Sequence, residues 1–296
     1  MKIGLTGATG FVAKHFLAAA RNAGHDVIGY SRSPRPRPGF VEMRAWQPLR
    51  SADFSGLDAI VHLAGESLLG LWTAKKREAI RRSRVIDTCD MIARLRELPV
   101  RPRVLVSAGG TAFYGDAADR ELPESAPHGS GFISEVARAW EDAAMEGADI
   151  MRTVTLRTGM VLGADGGAAP ALRRIFRLGL GGRLSSGRQW MPWIHVTDLA
   201  RLILWAVEKE TLRGPVNAVA PGAVRNETFT RVLARTLHRP AFIPAPAFAL
   251  RLLPGGMSDI FLQSQHVIPA AATAAGFTWL FPELPSAAAA VFGDHT

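Results

Sequence analysis

Two short stretches carry residue types suited to gripping phosphate. The segment GATGFVA follows the apolar run KIGLT and opens a helical pattern, so Gly7, Thr9, Gly10, Phe11 and Val12 form a tight turn into a helix start. Gly7 permits the turn, Gly10 lets main-chain amides approach a pyrophosphate, and the positive helix end favours the ligand's charge. Ala13, at the third small position, is compact enough for close helix packing. The second stretch closes the next strand pattern, HDVIGYSR, with Ser31, Arg32 and Ser33, and no carboxylate lies between Tyr30 and Gly39. A carboxylate there would bind adenosine ribose hydroxyls. A guanidinium flanked by hydroxyls suits a ribose 2′-phosphate, so the expected cofactor is NADP. A third stretch, SAGGTAFYGD, groups Ser107, Thr111, Tyr114 and Asp116, and Tyr114 is one of only two tyrosines in the chain.

The elements that must position these residues alternate. Apolar strand patterns at KIGLT, HDVIGYSR, DAIVHLAG, RVLVSA and TVTLRTGMV are separated by helical periodicities. The helices run through GFVAKHFLAAARNAG, from Thr73 to Leu98, and from Phe132 to Met145. Such alternation predicts parallel strands joined by right-handed crossovers, an α/β fold built on a Rossmann-like doubly wound parallel sheet. Beyond Gly163 the texture turns Gly- and Pro-rich, with helices at Leu199–Lys209 and Glu227–Leu237 and an irregular connection from Pro240 to Pro254. The expected division is a cofactor domain over 1–163, to which later segments return, and a smaller C-terminal α/β substrate lobe over 164–296. Thr197 with Asp198, and Asn226 with Glu227, are expected to cap the two later helices.

Bulk composition narrows the function classes. The chain has 296 residues, 48% hydrophobic and 21% charged, enough for a sizeable core and against disorder. No apolar run reaches the roughly 18 residues of a membrane span, and the N-terminus lacks the pattern of a cleaved leader. Cys89 is the single cysteine, which excludes an intrachain disulfide and a thiolate zinc site. A reducing cytoplasm, no metal and no membrane partner are the expectations. The formal charge is +9, and the cations cluster in the runs Ser31–Pro38, Lys75–Arg84 and Arg94–Arg103 with no interleaved aromatics, so a solvated surface is expected and nucleic acid is not.

Together these motifs resemble the extended short-chain dehydrogenase/reductase superfamily, which uses TGATGF, HLAG, FYGD and GRQWMPWIHVTDLA in this order. LAGESL, the SRV of Ser83–Val85, LRTGMVLGADGG, PWIH and RGPVNAVAP narrow the likeness to its epimerase-like 39U branch. The resemblance implies that Leu63, Ala64 and Gly65 line the cofactor path, that Thr158 and Val161 reach toward the nicotinamide, and that Arg84 stands where relatives often carry a cofactor-side Asn.

The same resemblance exposes two departures. Members of the superfamily use a Tyr and, four residues on, a Lys that lowers its pKa for proton exchange as hydride moves. Phe132 and Val136 stand in those places. Ser107, Thr111 and Tyr114 are the nearby candidates for catalysis, with Tyr114 the expected substitute acid or else a packed core aromatic. Glu135 and His128 are expected at the surface and His62 in the core. Nucleotide-sugar enzymes carry an Arg two residues after the Gln matching Gln189, to bind a diphosphate. Met191 is there instead, although Arg183 and Arg188 lie in the same loop, and Trp190 and Trp193 suggest a flatter apolar ligand or core packing. The expected function is an NADP-dependent oxidoreductase or epimerase acting on a small hydroxyl or carbonyl substrate, with homodimerisation possible. The alternative is an NADP-binding redox sensor or scaffold with little turnover.

Overall fold

The computed structural model describes residues 1–47, 50–252 and 254–293. Seven strands form one parallel sheet: β1 (Lys2–Thr6), β2 (Asp26–Ser31), β3 (Glu42–Ala45), β4 (Ala59–His62), β5 (Val104–Gly110), β6 (Arg152–Thr158) and β7 (Gly214–Ala218). Their order is β7-β6-β5-β4-β1-β2-β3, with every pairing parallel. The winding reverses between β1 and β4, the place where such sheets open a crevice at the strands' carboxyl ends.

Both faces of this sheet are covered, which is why its strands read as apolar runs rather than alternating ones. Ile3, Leu5, Val61, Val104 and Val106 point into one core with Phe16 of α1 (Phe11–Asn22) and Leu202 and Ile203 of α6 (Val196–Glu208). Ile28, Tyr30, Ile60 and Leu105 point into the other, with Met91, Ile92 and Leu95 of α3 (Asp87–Arg96) and Ala144 of α4 (Phe132–Met145). The helix read from Thr73 to Leu98 is α2 (Ala74–Arg81) and α3, joined through one π-helical turn at Arg82–Ile86.

After β6 the chain turns at Gly159 into a strand, Met160–Gly163, that pairs with Trp193–His195 and hairpins back at Gly166–Gly167. A third core gathers Phe176 of α5 (Ala169–Arg177), Phe229 and Leu233 of α7 (Asn226–Thr236), and Leu284, Ala287, Ala288 and Val291 of α8 (Leu284–Phe292). The connection from Pro240 to Pro254 contains a short helix, Ala247–Arg251; position 253 of that connection, and 294–296 of the expected lobe, lie outside the described residues.

The expected caps are not the ones used. His195 caps α6, its Nδ1 accepting from the Thr197 amide at 3.2 Å. Asp198 is fully buried and accepts instead from the Leu280 and Phe281 amides, both at 2.8 Å. Asn226 accepts from the Leu184 amide at 2.7 Å and makes no cap on α7. In both places a distant amide outcompeted the local one.

Candidate functional site

The start of α1 is built to receive an anion. Gly7 has φ +65°, and a Cβ on it would lie 2.8 Å from the Leu63 carbonyl and 2.9 Å from the Ala64 nitrogen, so β1 and β4 approach main chain to main chain. The Gly10 amide closes the turn on the Gly7 carbonyl at 2.8 Å. Gly10 is the N-cap and no side chain caps it, which leaves the amides of Phe11, Val12 and Ala13 without an intrahelical partner. Thr9 and Gly10 are exposed in front of them. The Phe11 side chain has a packing role: Cβ atoms on Gly163 and Gly166 would fall 2.6 and 2.3 Å from its ring. The Gly163–Gly166 turn is thereby clamped over the helix start. Asp165 in it binds Lys14 at 2.5 Å and His15 at 3.0 Å, and the Lys14 hydrogen bond leads in holding its carboxyl down at about 2.

Beside this turn lies a cluster of cations. Glu66, just after β4, pairs with Lys76 of α2 at 2.6 Å; that hydrogen bond, then the charges of Lys76, Arg32 and Arg84, lower its pKa. Arg32 is exposed at the end of β2, next to Ser31, whose Oγ accepts from the Ser33 amide at 3.2 Å. Arg84 belongs to the π turn and is only 9% exposed. Its guanidinium carbon lies 3.4 Å from where a Cβ on Gly65 would sit and 5.1 Å from the Trp140 ring centre, and Nη1 donates to the Ile80 carbonyl at 3.3 Å. Among the described residues no carboxylate comes within ion-pair distance of it. Burial pushes its pKa down to about 10. A buried guanidinium without a carboxylate is costly to hold in place, and π turns recur where a side chain must be re-aimed. Lys76 and Glu66 were not singled out in the sequence; their signal was the ESL after LAG and the KKRE run, which read as solvated surface.

Leu63 and Ala64 have their amides engaged, both donating to Thr6 Oγ1 at 3.1 and 3.2 Å. With two donors on its oxygen, the Thr6 hydroxyl gives its proton to His62 Nδ1, and His62 Nε2–H donates to Thr88 Oγ1 at 3.0 Å. His62 is fully buried, and desolvation lowers its pKa to about 4, so this imidazole is neutral and structural. Of the three shelf residues only Gly65 is exposed. Thr158 ends β6 opposite Gly110, and Val161 packs beside the α1 core.

The expected substitute acid is corrected. Tyr114 is 1% exposed, donates to Asn217 Oδ1 at 2.7 Å and accepts from Arg157 Nη1 at 2.8 Å. Arg157 is itself locked to Glu141 at 2.7 Å, and burial raises the phenol's pKa further from neutrality. With its proton and lone pair both engaged, Tyr114 is a core aromatic. Ser107 is corrected for the same reason: it is fully buried mid-strand, its hydroxyl turned to the Ala108 carbonyl. Thr111 is also buried, at 6% exposure, but it stands at the carboxyl end of β5, at the mouth of the crevice.

Where a Tyr and Lys would stand there is an apolar wall. Val136 packs with Trp72, Ile80 and Ile133, and Phe132 meets Trp72 edge-on at 5.7 Å. Arg77 lies 4.1 Å over the Phe132 ring. Trp140, one turn after Val136, carries the Arg84 contact. Glu135 and His128 are at the surface.

A cleft of about 310 Å³ opens further out, lined by Asp116, Asp119, Arg188, Arg225 and Arg251 among others. Trp190 stacks flat on His266 at 4.0 Å beside it, whereas Trp193 is 1% exposed in the third core. Met191 accepts a contact from Asn226 Nδ2 at 3.0 Å, and Arg183 is exposed.

Comparison with known proteins identifies the family. Residues 3–218 match the NAD dependent epimerase/dehydratase family, and residues 245–291 match a domain of unknown function, DUF1731. The epimerase family protein SDR39U1 of Homo sapiens is 35% identical over 293 residues, 97% of this chain and 98% of the human one. YfhF of Bacillus subtilis (strain 168) is 32% identical over 304 residues, 100% of this chain and 99% of that protein. The crystal structure of human SDR39U1 (isoform2) with NADPH superposes with a TM-score of 0.90 at 34% identity, covering 98% of this chain and 99% of the other. MoeE5 in complex with UDP-glucose and NAD, at 20% identity and a TM-score of 0.80, shares the fold. Since the family match runs from β1 to the end of β7, this chain belongs to the NAD dependent epimerase/dehydratase family.

Proposed function

We propose that the chain is an NADP-dependent oxidoreductase or epimerase of the extended short-chain type, acting in a reducing cytoplasm on a small hydroxyl or carbonyl compound. Residues 1–163 hold the cofactor and 164–296 cover the substrate, with α6 and β7 returning to the first unit. The observation that carries the reading is the uncapped, glycine-built start of α1, closed against Leu63 and Ala64, with Arg84 abutting the adjoining Gly65. A relative of matching length crystallised with NADPH supports it.

When bound, the nicotinamide of such a cofactor supplies or accepts a hydride. The free amides of Phe11 to Ala13 and the helix dipole hold the pyrophosphate. Arg32 forks onto the 2′-phosphate, and the hydroxyls of Ser31 and Ser33 stand beside it. Arg84 supplies from the π turn the positive charge that Val136 does not. Trp72, Phe132 and Val136 exclude water from one side, and Thr111 orients the substrate oxygen at the end of β5. Proton exchange with that oxygen, in either direction, would fall to solvent water.

The sensor or scaffold reading draws on one observation, the burial of Tyr114 beside the missing Tyr and Lys. Transfer of deuterium from C4-labelled NADPH to a panel of carbonyl compounds separates the two. Label appearing in product supports the enzyme; firm NADPH binding with no transfer across the panel leaves the sensor, and failure to bind either nucleotide removes both.

A further inference from the structure

The net charge of +9 is not spread over the molecule. Residues 166–197 and 228–258 contain nine arginines and no Asp or Glu, while the rest of the chain balances 26 cations with 26 acids. The two segments lie side by side. Leu184 bridges Ala245, the Ser185 amide donates to the Ala245 carbonyl at 2.8 Å, and the Ala245 amide donates to the Arg183 carbonyl at 2.9 Å.

The same segments leave large apolar side chains in water. Of fifteen exposed large hydrophobic residues among those described, seven fall in these 63 positions, about twice their share by length. Leu178 is 64% exposed, Leu180 60%, Phe242 88%, Ile243 60%, Phe248 72% and Leu252 81%. Around them stand the exposed Arg174 and Arg177 of α5 and the exposed Arg239.

Three occupants could cover such a face, and its chemistry chooses between them. A second copy would bring this cationic face against its like, including the exposed Arg174, Arg177 and Arg239. Nucleic acid would neutralise the arginines and could stack on Phe242 and Phe248, but it would leave Leu178, Leu180, Ile243 and Leu252 facing phosphate. An anionic bilayer answers both features, because phosphates and carboxylates of the headgroups pair with the arginines while short apolar tips enter the acyl boundary. No helix among those described is long and apolar enough to cross a membrane, so the contact is peripheral. We propose that this arginine-rich, apolar-tipped face of the C-terminal lobe docks on anionic phospholipid surfaces.

Flotation of the full chain with vesicles tests this directly. Vesicles of phosphatidylcholine with phosphatidylglycerol are expected to carry the protein, phosphatidylcholine alone is not, and raised salt releases it. Replacing Arg174→Gln with Arg177→Gln removes two surface cations and weakens vesicle binding by roughly 30-fold. Phe242→Ser with Phe248→Ser weakens it by about tenfold or more while leaving heparin binding unchanged. All four side chains are exposed, so melting temperature and NADPH titration hold constant and report folding independently. Absence of binding to anionic vesicles overturns the proposal. So does binding that the phenylalanine pair does not affect, which marks a general polyanion surface, or a concentration-dependent dimer that the same pair abolishes.

Discussion

Replacing Gly10 and Gly7 separately by alanine divides the cofactor's grip from the fold. Gly10 has φ −78° and ψ 165°, ordinary for any residue, and its new Cβ would meet only the Gly7 carbonyl, at 3.1 Å. That contact needs a few tenths of an ångström of relief, offset by the about 0.4–1 kcal/mol that Gly→Ala saves in the unfolded chain. The melting temperature of Gly10→Ala should therefore barely move. Its methyl nevertheless stands before the amides of Phe11 to Ala13, where anionic oxygens must come within about 2.7–2.9 Å of nitrogen. Loss of one charge-assisted hydrogen bond, about 1.5–3 kcal/mol, weakens NADPH about 10- to 150-fold. Gly7→Ala does the reverse: its φ of +65° costs about 1–2 kcal/mol before the 2.8 Å clash with the Leu63 main chain is relieved, so the fold itself melts earlier. Nucleotide fluorescence titration beside a thermal scan reads both. Unchanged NADPH affinity in a fully folded Gly10→Ala protein would refute the amide cradle.

Arg32→Asp should weaken NADPH selectively and leave NADH unharmed or improved; equal loss of both, by titration, would take the 2′-phosphate away from Arg32. Arg84→Met should lower NADPH affinity about tenfold or more without affecting 2′,5′-ADP, because Arg84 abuts Gly65 rather than the end of β2, and parallel losses of the two ligands would count against that placement. Tyr114→Phe should leave turnover near that of the parent yet lower stability by about 1–3 kcal/mol in denaturant, since Asn217 and Arg157 lose their partner; a hundredfold slower reaction in a folded protein would restore Tyr114 to the chemistry. His62 refuses a proton until about pH 4, whereas the unfolded chain takes one up near pH 6.5. Its contribution is therefore complete above about pH 6.5 and declines as pH falls toward about 4, by an amount on the order of 3 kcal/mol. Denaturant midpoints across that window should flatten in His62→Gln, and an equally steep profile in the variant would assign the slope elsewhere.

The parts legible in sequence were those whose signal is local. Helix α4 starts and stops where GFISEVARAWEDAAM suggests, because one apolar stripe runs its length and Gly131 precedes it. Strand β3 escaped notice because EMRA sits at the sheet edge and needs no apolar pattern. The π turn left no trace, since periodicities of 3.6 and its neighbours cannot be told apart over five residues. Asp198 read as a cap because nothing nearby announces the Leu280 and Phe281 amides, more than eighty positions on. Tyr114 misled for a related reason: a single aromatic in a short loop has no face, so its burial is decided by Asn217 and Arg157 from other strands. The phosphate turn was readable because its chemistry is in the main chain, and glycine advertises main chain.

The hydrogen bonds that retire Tyr114 from catalysis also limit how the molecule can move. Asn217 of β7 donates to the Leu122 and Ile268 carbonyls, and Glu124 accepts from the amides of Asn217 and Ala271. Strand β7 is thus stitched to the chain around Leu122 and Ile268 along one margin, and prising that margin apart would strand several buried polar groups at once. Opening of the crevice therefore costs least away from this margin, which serves as a fixed axle for the rest of the sheet.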